Sequence, residues 1–242
     1  MENRHFRFQE AGWFPLSLDN KDRFEDKDKS ELQEVEEIIL AGLGGIGSWV
    51  ALLLSRILTD ETELIIIDND FFEQVNLGGQ FVRTNQIGLP KVEVAEQNML
   101  EFSDYTNVTV INGLFTEDSD VAPIMICGFD NMEARQLFYQ KWKEQEDRVL
   151  FIDGRLNAEF FQVFCITDVK SEEVYEKEWL YLDEDELGNE ECSFKQTSHF
   201  ACEIASQIIK LLTKALSPFS AKPPNFIEFN QNTFKYDIQH FK

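Results

Sequence analysis

"EIILAGLGGIGSWV", Glu37 to Val50, is the stretch that decides the fold. A short apolar run ends at Gly42, the spacing Gly42-x-Gly44-x-x-Gly47 follows, and the chain then turns helical in "GSWVALLLSRIL". Alone, this glycine spacing says little. Placed between a predicted strand and a predicted helix, it has a mechanism. Glycines let the backbone approach a phosphate, and a helix N-terminus offers unpaired N–H groups at the positive end of its dipole. A tight strand–helix turn that holds no ligand has the same pattern.

Working outward, "ELIIIDND" (63–70) reads as a second buried strand, with Asp68 at its end. That acid stands at the distance expected for a ribose contact. A helix "VEVAEQNMLEF", a strand "NVTVING", a strand "PIMICGFD" (123–130) and a helix "NMEARQLFYQKWKEQ" follow. "RVLFIDGR" (148–155) and "FFQVFCITD" read as a fifth and a sixth strand. The strands are apolar throughout and most are separated by helices, which predicts a doubly wound α/β fold, a largely parallel sheet covered on both faces. Residues 171–191, "SEEVYEKEWLYLDEDELGNEE", are acidic with little periodicity and read as a surface loop. The amphipathic "SHFACEIASQIIKLLTKAL" predicts a long helix, and "FIEFN" with "FKYDI" a C-terminal β-hairpin. With no internal repeat or linker, residues 1–242 are expected to form one domain, 1–36 being an irregular N-terminal segment.

Composition narrows the partners. Lys and Arg number 22 against 45 Asp and Glu, a formal net charge of −23. Such a surface repels nucleic-acid phosphates and anionic lipid, so neither is an expected partner. It would steer a basic partner, or serve solubility alone. The N-terminus lacks the apolar core of a secretory signal, and no apolar run is long enough to span a bilayer. Cys127, Cys165, Cys192 and Cys202 form no CxxC pair, so neither a zinc site nor a disulfide framework is expected. These features suit a reduced, cytoplasmic protein.

Several spaced motifs then extend the glycine turn. They are Asp68-x-Asp70, Asn76-Leu77-x-x-Gln80, Gly88-x-Pro90-Lys91-Val92 and Asp130-Asn131, with Arg135 beyond. From about Ile38 to Ile152, and more loosely through the helix at 199–216, the chain resembles the ThiF/MoeB/ubiquitin-activating-enzyme superfamily. Members adenylate the C-terminus of a ubiquitin-like protein or a related carboxylate. The resemblance implies that Gly42, Gly44, Gly45 and Gly47 cradle the phosphates of ATP and that Asp68, with Asp70 nearby, holds the ribose. It also implies that Asn76, Gln80 and Lys91 contact the nucleotide and that Asp130 binds Mg2+. A carboxylate attacking an α-phosphate needs charge neutralised on the departing pyrophosphate, which a lysine and a metal supply. Each residue has a plainer alternative: Lys91 as a solvated helix-start lysine, Asp130 as a helix cap. A nicotinamide-dependent oxidoreductase would share Gly42 to Asp68 but has no use for Lys91 and Asp130.

One departure stands out. The family stretch Asn-Leu-x-Arg-Gln carries a phosphate-gripping arginine, and this chain has Gly79 there. Loss of a charge-assisted hydrogen bond costs about 1.5–3 kcal/mol. Either Arg83 replaces the charge, provided the segment is helical, or the protein is a non-catalytic scaffold. Cys192 is the candidate nucleophile for a thioester or persulfide step, weighed against a surface thiol without a role beside Glu190 and Glu191. Arg155 would meet the incoming carboxylate or a phosphate; alternatively it belongs to an ordinary turn with Asp153. The expected partner is a small ubiquitin-like or sulfur-carrier protein, and the resemblance also implies a homodimer. A small-molecule carboxylate fits the same motifs.

Overall fold

The computed structural model describes residues 35–157, 159–181, 197–217 and 221–241. Strands β1 (Glu37–Ala41), β2 (Glu63–Asp68), β3 (Val108–Asn112), β4 (Ile124–Cys127) and β5 (Leu150–Leu156) are joined by helices α1 (Gly45–Ser55), α2 (Lys91–Phe102) and α3 (Met132–Lys143). After β6 (Phe160–Ile166) come α4 (Val169–Tyr175), α5 (Ser198–Ala215) and the hairpin β7 (Phe226–Asn230) and β8 (Lys235–Gln239). All eight strands form one sheet in the order β3-β2-β1-β4-β5-β6-β7-β8. The pairings from β3 to β5 are parallel; those from β5 to β8 are antiparallel. The doubly wound α/β expectation therefore holds, and the C-terminal hairpin extends the main sheet instead of standing apart from it.

Alternate residues of each central strand feed two cores. Ile38, Leu40, Leu64, Ile66, Ile124 and Ile126 pack under α1, α2 and α5. Ile39, Ala41, Met125, Cys127 and Phe151 pack under α3 and α4. Burial on both faces is why these strands read as continuous apolar runs.

The acidic stretch corrects the sequence reading. Its first part is helical: α4 runs to Tyr175 and continues as a π-helical turn over Glu176–Leu180. Residues 182–191 lie outside the described residues. The Asp168 carboxylate caps α4 by accepting from the Ser171 N–H at 2.8 Å. Polar side chains hid its buried face. Glu172 is buried because Arg148 Nε donates to its Oε1 at 2.8 Å, and Tyr175 and Leu180 are buried among aromatic rings.

Candidate functional site

The connection after β1 runs to β2 and that after β4 runs to β5, in opposite directions, so the chain switches between β1 and β4, where sheets of this kind form a crevice beyond the carboxyl ends of the strands. The turns after these strands touch. Gly42 has φ +84°, and a Cβ there would lie 2.6 Å from the Gly128 carbonyl carbon. A Cβ on Gly47 would lie 1.9 Å from the Gly42 oxygen, and one on Gly128 would lie 2.5 Å from the same oxygen. The fold alone therefore demands glycine at 42, 47 and 128. Gly44 is different. A Cβ there would meet nothing within 4 Å, although its backbone, φ −71° with ψ −141°, is neither helical nor extended. Gly44 is the N-cap of α1, no side chain caps the helix, and its first turn holds no acid. An uncapped N-terminus with open space beside it suits an anion.

Asp68, buried at the end of β2, ties this turn to the next loop. Its carboxylate accepts from the Leu43 N–H at 2.5 Å and the Asp70 N–H at 2.7 Å. A carboxylate has about four acceptor positions, so two remain for other donors. Lys91 opens α2 and is almost fully buried, with Nζ donating to Asp70 Oδ2 at 2.7 Å. It is thus not a solvated helix-start lysine. Asp70 itself is exposed, with 60% of its side-chain area accessible.

The segment carrying the glycine pair is a short 3-10 helix over Gln74–Gly78 with Gly79 as its C-cap. Asn76 Oδ1 accepts from the Glu73 N–H at 2.7 Å. Gly79 lies buried against α1, where Trp49 Nε1 donates to its carbonyl at 3.0 Å, and Ser198 of α5 donates to the Gly78 carbonyl at 2.8 Å. The Phe81 N–H donates to Ser48 Oγ at 3.0 Å. The Oε1 atom of Gln80 is buried and accepts no hydrogen bond from the described residues. The chain does not continue as a helix to Arg83, whose backbone is extended at φ −100°, ψ 155°. The condition for Arg83 to stand over position 79 on one helical face is therefore absent. Its guanidinium donates to Glu101 Oε2 at 2.6 Å and Asn98 Oδ1 at 2.9 Å, on α2.

Across the crevice, Asn131 caps α3, its Oδ1 accepting from the Ala134 N–H at 2.8 Å. Asp130 is thereby released from capping. It is exposed and forms no side-chain hydrogen bond among the described residues. Below it lies a buried charge cluster. Asp153, on β5 with no accessible surface, pairs with Arg135 through Oδ1 and accepts from Arg155 Nε at 2.8 Å and the Tyr175 hydroxyl at 2.8 Å. Burial lowers the Arg135 pKa, and pushes the Tyr175 hydroxyl up to about 12. Arg155 is committed further: Nη1 donates to the Trp179 carbonyl at 3.1 Å, and its guanidinium lies 4.8 Å over the Phe164 ring. Two guanidiniums share one carboxylate, which leaves a surplus positive charge behind the crevice.

Cys127 and Cys165 are buried, and burial pushes the Cys165 thiol up to about 12. Cys202 lies on α5, and Cys192 lies outside the described residues. Among the described residues no group of three or more His, Cys, Asp or Glu could hold a metal, and no helix is long and apolar enough to cross a membrane.

The sequence matches the ThiF family over residues 19–242. The chain belongs to the ThiF family. It is 31% identical over 104 residues to tRNA threonylcarbamoyladenosine dehydratase 2 of Saccharomyces cerevisiae, covering 41% of this chain and 22% of that protein. It is 33% identical over 85 residues to ubiquitin-like modifier-activating enzyme 5 of Caenorhabditis elegans, covering 34% and 20%. To the Escherichia coli tRNA threonylcarbamoyladenosine dehydratase it is 33% identical over 92 residues, covering 38% and 34%. These matches span between 20% and 34% of each relative's length. Among solved structures, E. coli MccB with ATP superposes with a TM-score of 0.65 at 18% identity, covering 85% of this chain and 64% of that one. PaaA gives 0.65 at 17%, with the same coverage.

Within this ThiF domain, the structure adds residues that the sequence reading passed over. Gly128 interlocks with the glycine turn, Trp49 and Ser198 pin the Gly78-Gly79 backbone, and Asp153 with Tyr175 organises both arginines. Gly128 was visible as a glycine within the strand expected over 123–130. The others act through contacts between residues far apart in the chain.

Proposed function

We propose that this chain binds ATP-Mg in the crevice beyond β1 and β4 and adenylates the C-terminal carboxylate of a small ubiquitin-like or sulfur-carrier protein, in the cytoplasm and as a homodimer. One observation carries the nucleotide half: Gly44 heads a helix that no side chain caps, and the space beside it is open, with no atom within 4 Å of where a Cβ would stand. The backbone from Gly42 through Gly47 would hold phosphate oxygens, and the remaining acceptor positions of Asp68 would take a ribose hydroxyl. Buried Gln80 Oε1 would take a donor of the nucleoside, with Asn76 and Asp70 beside it. Lys91 carries the point charge that the leaving pyrophosphate needs, once Asp70 yields it. Asp130, with the nucleotide's own phosphates, would hold Mg2+, which usually keeps only one or two protein carboxylates and supplies charge neutralisation.

In the reaction, a carboxylate oxygen of the carrier attacks the α-phosphorus, the bond from that phosphorus to the bridging oxygen breaks, and pyrophosphate leaves. Relatives named for activating ubiquitin-like modifiers support a protein carboxylate. If transfer follows, the Cys192 thiolate attacks the acyl carbon and AMP departs. The charge of −23 disfavours the tRNA substrates after which other relatives are named.

Calorimetric titration of ATP-Mg into wild type and Asp130→Ala, with NAD as control, tests the nucleotide reading. Binding of ATP but not NAD, weakened by the substitution, is expected. Pyrophosphate exchange stimulated by a candidate carrier tests the chemistry. Partner binding with no ATP binding would leave the scaffold reading.

A further inference from the structure

Asp153 and Arg135 form an ion pair inside the fold, and the nucleotide contacts proposed above leave both unused. Asp153 stands on β5 beside Cys127 of β4 and has no accessible surface; Arg135, on α3, is 4% exposed. Taking two charges out of water is expensive, and well-packed apolar side chains in their place are often as stable or more so. Stability alone is therefore a poor account of the pair.

Its geometry offers another. Arg135 Nη2 donates to the Phe129 carbonyl, while Nη1 pairs with Asp153 Oδ1 and donates to the Gly154 carbonyl at 3.4 Å. One planar guanidinium thus ties β5 to the peptide that joins Phe129 to Asp130. Asp153 is fixed in turn. Its Oδ2 accepts from Arg155 Nε and from the Tyr175 hydroxyl, both at 2.8 Å, and Arg155 is anchored by the Trp179 carbonyl at 3.1 Å. Before Phe129, the Gly128 N–H donates to the Ala41 carbonyl at 2.8 Å. Asp130 itself is exposed and forms no side-chain hydrogen bond among the described residues, so the backbone before it sets where its carboxylate stands.

We propose that the Asp153–Arg135 pair is a positioning device for Asp130: it holds the Phe129–Asp130 peptide so that the Asp130 carboxylate meets Mg2+ on the bound nucleotide. The inference rests on the reading of Asp130 as the metal's carboxylate. Mg2+ demands near-ideal octahedral geometry at about 2.0–2.1 Å, and a site residue has to be held to within about 0.5 Å. Asp153 and Arg135 act through the peptide, not by touching the metal.

Calorimetric titration of ATP into the full chain, with Mg2+ and with EDTA, reads the gain in affinity that Mg2+ brings. Wild type should gain about tenfold or more, and Asp130→Ala should lose most of that gain. Asp153→Asn keeps the shape and loses the charge that orients Arg135. Arg135→Lys keeps a charge beside Asp153 but lacks the fork that also reaches Phe129. Each should cut the Mg2+ gain at least about threefold, with affinity for metal-free ATP within about twofold of wild type. Should Asp153→Asn fail to fold, Arg135→Lys decides alone. A purely structural pair behaves differently: an unchanged gain, or equal losses with and without Mg2+, overturns the proposal. If no ATP binds, or the gain survives Asp130→Ala, the nucleotide–metal reading falls and the proposal with it. A gain lost in Asp130→Ala but intact in the buried variants overturns the proposal alone.

Discussion

The turn after β1 and the segment from Glu73 to Gln86 flank the same crevice, yet they are built by different means. In the turn, backbone touches backbone: Gly42, Gly47 and Gly128 interlock at distances that exclude a single methyl group. In the segment, side chains from α1, α2 and α5 hold the backbone through single hydrogen bonds from Trp49, Ser198 and Asn98. The first arrangement leaves one solution, so its residues announce it. The second has many solutions. That is how the position where the resemblance leads one to expect an arginine can be Gly79 here without loss of the local fold.

The largest effect expected from this contrast is on stability. Gly47→Ala drives a methyl group into the Gly42 carbonyl oxygen, a backbone atom that cannot rotate away. The change should cost about 4 kcal/mol or more, beyond the usual range for a point substitution. Urea unfolding would measure it, and a loss below about 1 kcal/mol would show that the turn relaxes as readily as the segment. A smaller effect concerns Lys91. In the described structure its ammonium is held by exposed Asp70, so Asp70→Asn should free it for phosphate and tighten ATP a fewfold, as expected for a partly exposed ion pair of about 0.2–1 kcal/mol. Weaker binding in this variant would instead make Asp70 a ligand of the nucleotide. The smallest effect is expected at Arg83. Its partners are Glu101 and Asn98, so Arg83→Ala should leave ATP affinity within about twofold and cost at most about 1 kcal/mol of stability. A tenfold loss of affinity would mean that the arginine leaves α2 when nucleotide arrives.

The same contrast explains what was legible in the sequence. The parallel strands, α1 to α3, α5 and the hairpin are visible because each repeats one pattern of burial along its length, as in Phe200, Ala201, Ile204, Ala205, Ile208 and Leu211 of α5. Helix α4 was not, because its buried face includes Glu172 and Ser171, which are satisfied by Arg148 and by a cap. Of the candidate site residues, Gly42, Gly44, Gly47 and Asp68 stand out by spacing and Lys91 by the resemblance, and the structure sets them at the carboxyl end of the sheet. The arrangement of the arginines does not stand out. Arg83 and Arg155 look alike as solitary cations in the sequence, whereas one reaches α2 and the other shares buried Asp153 with Arg135. Only the packing of distant elements distinguishes them.

The central claim is that the open space beside Gly44, at the head of α1, receives a phosphate. Gly44→Ala tests it directly, with ATP-Mg titration and thermal unfolding measured on the same preparation. The account predicts a stability loss well below that of Gly47→Ala, since the new methyl group meets no atom within 4 Å, together with an ATP affinity at least about tenfold weaker. Unchanged ATP affinity, or a loss of stability like that expected for Gly47→Ala, would contradict it.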